Sequence, residues 1–588
     1  MKRTALTLVF LLTAFLAMAS DVTPEQAGKL ASSFFSGTRG AAHVDLVWDG
    51  TDGLTRSGES PAFYVFNHAG GGFVVVAGDD AATPILAFSQ TGKFMTEGMP
   101  EQIRSFFREY TREITYLRNT GRKQTAEGAA LWERAAREGI ARYTAIKELH
   151  TPTWGQSAPF NDLCPVVDGG RSVAGCVAVA ISEVMYHHRW PGTTAEDRLP
   201  DYNYKTDKGN NQIITGHNLA ASYDWSLIKS SYAGSATAES RAEVAKLVHD
   251  VGVMMQSSYN PTGTGAFSDD IPEAMVHYMN YDSSTVLYYR EEFSTERWCS
   301  MLRNEIDNNR PVLYGGDGAG GGHQFVVDGY ATDDYFAMNW GWSGGDNGFY
   351  KISSFMTSMS YDFRAYGSAV FNLKPNAGGK PVDLLRFYVT YKGKDYYGGM
   401  SLSSGTIAKG NTVKFTVANL GNDGFSTVTG QLALALADYK GNIKTTYGAE
   451  DFTLEQGYGV SGEFTITINE DLALGDKFIL VYKTATVTEW TPVSYDPYYT
   501  TFIVDNVPAF DYPAIYFDAS KSYHAGDVFD LRLINTSRAP SSIAWFYDYE
   551  KIADDVYDVE LTAGKHTIRV EINIGSGSQT LYQVINVL

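Results

Sequence analysis

The sequence has 588 residues, which is too many for one hydrophobic core and predicts three or four domains. Its composition is that of a globular protein, and its 58 Gly and 38 Tyr residues favour antiparallel sheets over helical bundles. The formal net charge of −20, without a dense Lys/Arg cluster, argues against a nucleic-acid partner.

The first twenty residues have the pattern of a secretory signal peptide. Lys2 and Arg3 precede an apolar segment over residues 5–16, and Ala17-Met18-Ala19 supplies a small-x-small cleavage pattern. The segment is too short to span a bilayer, and no later stretch reaches about 18 apolar residues. We therefore expect residues 1–20 to be a signal peptide and the mature chain to be secreted, extracellular and without a membrane span.

Residues 21–149 are predicted to form a first globular unit with both strands and helices. Two strand-like runs, Phe63–Phe66 and Gly72–Ala77, flank a turn and indicate a hairpin. An apolar stripe at helical spacing follows, made of Ile103, Phe107, Tyr110, Ile114 and Leu117. A polar connector then leads to the next unit, an arrangement typical of an α+β propeptide with a processing region. An ordinary N-terminal domain that is never removed also fits.

Residues 150–377 pass from helical to strand-like patterns, which is the order of an α+β domain. A largely buried helix is predicted to begin at or just before Cys176 and to end before Pro191. Further helices are predicted at 245–255, 272–279 and 296–308, and strands at 311–314, 323–330, 335–342 and 348–352.

The rest of the chain has strand patterns separated by Gly/Asn/Asp turns. Thr412–Val417 and Thr567–Ile572 alternate between apolar and polar residues, as half-buried strands of a sandwich do. We predict two C-terminal immunoglobulin-like β-sandwiches, over residues 378–505 and 506–588.

The three cysteines are candidates for chemistry because an exported chain that relied on disulfides would normally have an even number. At the start of the predicted helix, Cys176 would face unpaired N–H groups and the positive end of the helix dipole, and both favour thiolate. A Cys164–Cys176 disulfide with Cys299 buried is the alternative. Zinc is not indicated for these cysteines, since no CxxC or nearby Cys/His pair accompanies them.

A Cys nucleophile needs a base, and His323 is the favoured histidine. It opens a predicted strand after a Gly-rich loop, and a turn with a returning strand is expected to bring Asn339 back beside it. The other histidines have plainer explanations. We expect His187 and His188 to be dipole partners at the end of the Cys176 helix, and His249 and His277 to be structural.

Four motifs, in order, resemble the streptopain family of papain-like cysteine peptidases. They are Trp154-Gly155-Gln156, Gly175-Cys176-Val177-Ala178, Gly322 to Gly329 around His323, and Asn339-Trp340-Gly341-Trp342. The segment from Tyr64 to Phe88 also resembles the propeptide of that family. The papain-type string C-G-S-C-W is absent, so the likeness to the wider papain class depends on motif order and chemistry.

The resemblance implies a papain-like catalytic domain, with Cys176 as nucleophile and His323 as general base and acid. Gln156, with the Cys176 N–H group, would bind the oxyanion, and Asn339 or Trp340 would orient His323. The residues it implies for substrate binding are Thr264, Gly265 and Gly322. It also implies cleavage of proteins or peptides, a zymogen inhibited by its own propeptide, and no metal or organic cofactor.

Two other functions fit the same residues. The dyad could pass the acyl group to an amine, as transglutaminase-like enzymes do. The chain could also be an adhesion or binding protein with an inactive papain-like domain, whose sandwiches bind a surface ligand. The leading hypothesis is a secreted cysteine endopeptidase that forms a thioester at Cys176.

Overall fold

The computed structural model describes most of the chain from residue 21 onward. The described ranges are 21–39, 42–50, 60–100, 124–195, 197–290, 293–316, 322–352, 367–391, 394–424, 426–438, 441–473, 476–494, 502–503, 514–515, 523–531, 533–534, 542–548, 550–552, 558–574 and 577–588, with single residues of 101–123. The predicted signal peptide, the middle of the Gly-rich loop and the predicted break near Asn506 lie outside these residues.

The chain divides into two compact units. The first holds residues up to Thr96 and those between Phe107 and Thr144. The second holds the residues between Glu97 and Phe106, those between Ala145 and Ser354, and the chain from Met359 onward.

The first unit combines an antiparallel sheet with helices. Its strands, in sheet order, are Val44–Trp48, Phe63–His68, Phe73–Ala77 and Ile85–Ser89. Its helices are α1 (Pro24–Arg39) and α2 (Ala126–Glu138), followed by a 3₁₀ turn at Gly139–Arg142. The predicted hairpin is confirmed, with Phe63 opposite Ala77. All five residues of the predicted apolar stripe are helical and buried, as core residues are; those from Phe107 onward belong to this unit, and Ile103 belongs to the second.

Each predicted helix of the second unit is present, but the one predicted at 245–255 begins earlier, at Ala238. The helices are α3 (Cys176–His188), α4 (Ala238–Met254), α5 (Ile271–Met279) and α6 (Thr295–Asp307), with a 3₁₀ turn at Ser268–Asp270. Short hairpins join Val166–Val167 to Gly170–Arg171 and Tyr202–Lys205 to Asn211–Ile214. Helices α3 and α4 contribute to one buried apolar core, to which Val179 and Val248 both belong.

Most strands of an antiparallel sheet follow the helices in the chain, as the sequence predicts, but Val286–Tyr289 precedes helix α6. Its strands within this unit, in sheet order, are Val286–Tyr289, Gly367–Phe371, Val312–Gly316, His323–Ala331, Tyr335–Asn339 and Gly348–Lys351. A 3₁₀ turn at Thr332–Asp334 joins the two strands that carry His323 and Asn339. The strand Ala145–Glu148, which lies in the stretch assigned to the first unit by the sequence, pairs here with the end of His323–Ala331.

Beyond residue 377 every described element is a strand. Between 378 and 505 they are Leu385–Arg386, Tyr388–Tyr391, Lys394–Tyr397, Gly399–Ser404, Thr412–Asn422, Val428–Ala437, Ile443–Leu454, Gly459–Thr467, Lys477–Thr484, Thr491–Pro492 and Phe502–Ile503. Two antiparallel sheets enclose one core there, in which Phe415 of one sheet contacts Phe478 of the other at 5.2 Å between ring centroids. The predicted alternation over Thr412–Val417 is confirmed by its burial pattern.

The last region has its own buried core, which includes Phe529, Trp545 and Val570. Its strands are Ala514–Ile515, Val528–Asp530, Leu533–Ile534, Ser542–Tyr547, Glu550–Lys551, Asp558–Glu560, Gly564–Ile574 and Gly577–Val587. The immunoglobulin-like class of both C-terminal regions stays a prediction. Within the described ranges, no helix combines the length and apolar character needed to cross a membrane.

Candidate active site

Cys176 is the first residue of helix α3, and Gly175 is its N-cap. Gly175 has a φ of 91°, which favours glycine, and a side chain there would come within 2.9 Å of the Thr264 side chain. The helix is buried from Val177 to Met185, so the half-buried Cys176 stands at the edge of a rigid apolar support. Because first-turn N–H groups are unpaired and the helix dipole is positive there, this position stabilises a thiolate.

The loop Trp154-Gly155-Gln156 is attached to the same helix. Trp154 is buried, its main-chain N–H donates to Glu183 Oε1 at 3.0 Å, and its ring contacts Tyr186. The main-chain carbonyl of the half-buried Gln156 accepts from the Ala174 N–H at 2.9 Å. Gln156 therefore lies next to the segment that leads into Cys176, as an oxyanion donor must.

His323 is the first residue of its strand and is buried. Its Nε2 lies 3.0 Å from the main-chain carbonyl oxygen of Trp340, and its ring stacks on Trp342 with centroids 4.4 Å apart. Since a carbonyl oxygen only accepts, Nε2 carries the hydrogen and Nδ1 keeps a lone pair. Burial lowers the pKa of His323 to about 4, against the opposing effect of the Trp340 carbonyl, so the imidazole is neutral at pH 7.

Asn339 does not lie beside His323, contrary to the expectation from the sequence. The register of the two strands places it opposite Val326. Its side-chain amide donates to Thr151 Oγ1 at 3.0 Å and to the Pro152 carbonyl at 2.7 Å. Asn339 thus fixes the segment ahead of Trp154, while the contact to the imidazole comes from the residue that follows it.

Trp342 is the neighbour of His323 to which the sequence analysis assigned no role. Val326 pairs with Asn339 in antiparallel strands. His323 lies three residues before Val326 and Trp342 lies three residues after Asn339, so the pairing brings His323 and Trp342 together. Trp340 and Trp342 are themselves stacked, with ring planes 6° apart. The motif quoted for the family contained this residue, and the strand register was the signal that could have identified its place.

Two buried carboxyl groups hold this region together. Glu183 on helix α3 accepts from Trp154 N–H and from the Asn339 amide at 3.2 Å, and burial raises its pKa well above the usual value. Asp328 Oδ2 accepts from both the N–H and the hydroxyl of Thr151, at 2.8 and 2.7 Å. Burial raises the pKa of Asp328 to about 6. The four sequence motifs are therefore linked by buried hydrogen bonds.

The residues suggested for substrate binding differ in their surroundings. The hydroxyl of the buried Thr264 donates to the Val173 carbonyl at 2.7 Å, in the segment that leads into Gly175, and accepts from the Asn260 N–H of its own loop. Gly265 is exposed and exchanges main-chain hydrogen bonds with Ser258, and Gly322 is exposed just ahead of His323. Thr264 therefore shapes the loop against Gly175, whereas the two glycines leave backbone accessible.

All three cysteines lie in the described part of the chain, and none of them is in a disulfide. The alternative of a Cys164–Cys176 bridge is therefore wrong for this structure. Burial raises the pKa of both Cys164 and Cys299 to about 12, which makes them unreactive. Cys176 is the partly exposed one of the three.

His187 and His188 were expected to act on the helix dipole, which requires a charged imidazole. Burial lowers the pKa of both, that of His188 to about 3, so both rings are neutral near pH 7. His188 Nδ1 is instead hydrogen-bonded to the Tyr281 hydroxyl at 3.1 Å. The interpretation of these histidines as dipole partners is therefore wrong.

His188→Gln is expected to become more stable relative to the parent as the pH falls. The pKa of His188 is lower in the folded than in the unfolded chain, so its contribution to the free energy of unfolding is fully present above about pH 6.5. That contribution is lost as the pH falls towards the folded pKa. The difference in unfolding free energy should shift by up to about 3 kcal/mol in favour of the variant between pH 7 and pH 4.

The measurement is denaturant unfolding of the Cys176→Ala chain with and without His188→Gln at both pH values. Comparing variant with parent is necessary because burial raises the pKa values of Glu183 and Asp328, which stabilises the fold as the pH falls. His277→Gln is the matched control, since His277 is exposed. An unchanged difference between pH 7 and pH 4 would contradict the prediction.

The arrangement provides the parts needed for acyl transfer. It has a thiol at a helix start, an imidazole fixed by a carbonyl with one nitrogen left as a base, and a glutamine whose main chain is hydrogen-bonded to Ala174, two residues before the thiol. The conformation of the site depends on main-chain hydrogen bonds and on stacked tryptophans.

Comparison with known proteins agrees with this chemistry. Residues 154–350 match the Peptidase C10 family, and residues 19–114 match the Spi protease inhibitor family. Two solved structures from Prevotella intermedia are similar. A prointerpain A fragment is 24% identical and covers 58% of this chain and 100% of that chain, with a TM-score of 0.45. Active interpain A is 29% identical and covers 40% and 97%, with a TM-score of 0.35.

Two curated relatives extend the comparison. Streptopain from Streptococcus pyogenes serotype M28 is 30% identical over 363 residues, which is 58% of this chain and 87% of that protein. The thiol protease/hemagglutinin PrtT of Porphyromonas gingivalis is 29% identical over 367 residues, which is 60% of this chain and 41% of that protein. The chain is a cysteine peptidase, a hydrolase, and it belongs to the streptopain-like peptidase C10 family.

Proposed function

We propose that the protein is a secreted endopeptidase, made as a zymogen, that hydrolyses peptide bonds through a thioester at Cys176. Two features together carry the proposal. The half-buried thiol of Cys176 lies at the start of helix α3, and the His323 imidazole uses Nε2 for its hydrogen bond to Trp340. Nδ1 of His323 is then the nitrogen that can take a proton from a thiol.

The reaction has two halves. His323 takes the thiol proton while Cys176 Sγ bonds to the substrate carbonyl carbon, and it returns that proton to the leaving amine as the peptide C–N bond breaks. Water then loses a proton to His323, attacks the thioester and releases the acid and the thiol. In both halves Gln156 and the Cys176 N–H donate to the oxyanion. No cofactor takes part.

The main-chain carbonyl of Trp340 is the group to which we assign the orientation of His323. It fixes the hydrogen on Nε2, and the Trp342 ring covers one face of the imidazole. Asn339 supports this turn from behind, since its Oδ1 accepts from the Asn347 amide at 2.9 Å, while the Asn347 Oδ1 accepts from the Trp340 N–H. For substrate contacts, Gly265 and Gly322 offer exposed backbone, and Thr264 shapes the loop.

The N-terminal region is the proposed inhibitor of the zymogen. Phe106, within the segment that matches the Spi protease inhibitor family, contacts the ring of Trp340 edge-on at 5.3 Å and that of Tyr350 at 5.6 Å. The full chain also keeps His323 buried and neutral. A thiolate–imidazolium pair would need a charged imidazole, so we expect higher activity after residues 21–149 are removed.

Secretion and the two C-terminal regions complete the proposal. The signal-peptide pattern of residues 1–20 supports export. The alternation and two-sheet core of residues 378–505 support an immunoglobulin-like sandwich. A surface ligand for this sandwich and for the region 506–588 is the role we propose for them.

An active-site-directed alkylating peptide tests the proposal. The matured chain should be labelled at Cys176 alone and should lose hydrolysis in proportion to the label, because burial keeps Cys164 and Cys299 unreactive. Mass spectrometry locates the label. Absence of labelling at Cys176 would favour the binding-protein alternative, and amide products formed with an added primary amine would favour transglutaminase-like transfer.

Gln156→Ala is expected to lower kcat by roughly 10²-fold or more, the usual scale for one oxyanion donor. The effect should fall on kcat rather than on KM, because the oxyanion exists only on the way to the product. Steady-state hydrolysis of a peptide by the matured chain is the measurement. Gln212→Ala, in the hairpin strand Asn211–Ile214, is the matched control, and an unchanged kcat for Gln156→Ala would remove Gln156 from the site.

A further inference from the structure

Two histidines and an aspartate of the second unit form a group that the peptidase reaction does not use. His217 follows the strand Asn211–Ile214, and His249 and Asp250 are neighbours on helix α4. One donor atom from each, an imidazole nitrogen or a carboxylate oxygen, lies within 4.8 Å of the other two. These three residues are called the His217 cluster below.

We propose that the His217 cluster is a zinc site, with one ligand atom from each residue. Two imidazole nitrogens and one carboxylate oxygen are a donor set that zinc accepts, whereas Ca²⁺ and Mg²⁺ prefer oxygen ligands alone. His217 and His249 are only half-buried, so an ion can enter and a water molecule can complete a tetrahedral shell.

The carboxylate of the cluster is held in place from behind. Asp250 is buried, its Oδ1 lies 2.7 Å from His217 Nε2, and its Oδ2 accepts from the Tyr223 hydroxyl at 2.9 Å. The main-chain carbonyl of His217 accepts from the Leu199 N–H at 2.9 Å, which anchors its loop. An outer hydrogen bond like that of Tyr223 is the usual support of a metal-binding carboxylate.

The His217–Asp250 hydrogen bond does not account for His249. The His249 ring stacks on that of His217, with centroids 5.1 Å apart and planes 16° apart. Among the described residues, none forms a hydrogen bond with the His249 imidazole. A cation coordinated by both rings and Asp250 would give the His249 imidazole a role that the His217–Asp250 hydrogen bond does not.

The geometry needs only a small adjustment. Zinc–nitrogen and zinc–oxygen distances of about 2.0–2.2 Å put tetrahedral ligand atoms about 3.4 Å apart. The donor atoms already lie within 4.8 Å of one another, so a side-chain movement on the order of 1 Å in the two half-buried histidines closes the shell. The ion would join the His217 loop to helix α4, which shares a core with the helix that begins at Cys176.

Zinc binding by the full chain tests the proposal independently of peptidase activity. The parent for the test carries Cys176→Ala, which removes a competing thiol and prevents self-cleavage. After chelation, Zn²⁺ is titrated by calorimetry, bound metal is counted by elemental analysis, and Co²⁺ is used to record a tetrahedral absorption spectrum. We expect one zinc per chain, and affinity lower by at least 100-fold in His249→Gln and by 10- to 100-fold in Tyr223→Phe.

His277→Gln is the matched control, because His277 also lies on a helix near a carboxylate, at 2.9 Å from Asp197, but belongs to no such cluster of described residues. It should bind zinc like the parent. His217→Gln is a second variant of the same site. Circular dichroism of the metal-free chains shows whether each variant folds. A parent that binds neither Zn²⁺ nor Co²⁺, or a zinc ion that both histidine variants retain at parental affinity, overturns the proposal.

Discussion

The Cys176→Ala chain is expected to hydrolyse no peptide substrate and to keep its full length after purification. Without Sγ no thioester can form, and His323 has no thiol to deprotonate, so the loss should be on the order of 10⁴-fold or more. The measurements are digestion of a peptide library, analysed by mass spectrometry, and gel electrophoresis of the precursor over time beside the parent.

Cys299→Ala is the matched control for this prediction. Cys299 is buried on helix α6 with a pKa raised to about 12, so its removal should leave hydrolysis and maturation near the parental level. Adding a small amount of mature parent enzyme shows whether the Cys176→Ala precursor can still be cleaved by another molecule. Maturation of the purified variant on its own would contradict self-cleavage, and retained hydrolysis would exclude Cys176 as the nucleophile.

The helix that carries Cys176 could be predicted because its signals are local. An apolar run without internal Gly or Pro begins after Gly175 and ends before Pro191, and the helix runs from Cys176 to His188. The sequence does not show why the N-cap residue is glycine. The close approach of Thr264, from a distant loop, leaves no room for a side chain there.

The resemblance left Asn339 and Trp340 open as the residue that orients His323, and the sequence could not decide between them because the group that does so is a main-chain carbonyl. A side chain such as that of Asn339 is visible in a sequence, whereas any residue has a carbonyl like that of Trp340. The four predicted strands are present, although the one predicted at 335–342 ends at Asn339, and Val286–Tyr289 and Gly367–Phe371 were not predicted. The pattern of a strand does not give its register, which puts Asn339 opposite Val326. The register of two strands decides which of their side chains are neighbours, and it can change without any change in where the strands begin and end.

Buried carboxyl groups were the other feature that sequence patterns missed. Glu183 is a single acidic residue in an apolar helix, and it accepts hydrogen bonds from both Trp154 and Asn339. A glutamate is expected to be exposed because it carries a charge. The free-energy cost of burying Glu183 is offset by hydrogen-bond donors from two distant segments. Only the long-range contacts of the folded chain show that these motifs share one network.

Replacing His323 by glutamine is expected to lower peptide hydrolysis on the order of 10⁴-fold or more, nearly as much as the loss of Cys176. Glutamine can still donate to the Trp340 carbonyl, but it offers no basic nitrogen to take the thiol proton. The loss should appear in kcat, and the rate at which an alkylating agent labels Cys176 at pH 7 should fall because less thiolate forms. Both rates are measured on chains whose propeptide has been removed by the parent enzyme.

His277→Gln is the matched control, since its imidazole is exposed on helix α5 and pairs with Asp197. It should keep both the parental hydrolysis and the parental labelling rate. A His323→Gln chain that still hydrolyses peptides at the parental rate would exclude His323 as the base. If instead hydrolysis is lost while labelling of Cys176 stays fast, His323 acts on the leaving group and another residue must deprotonate the thiol, because the two readouts report different proton transfers.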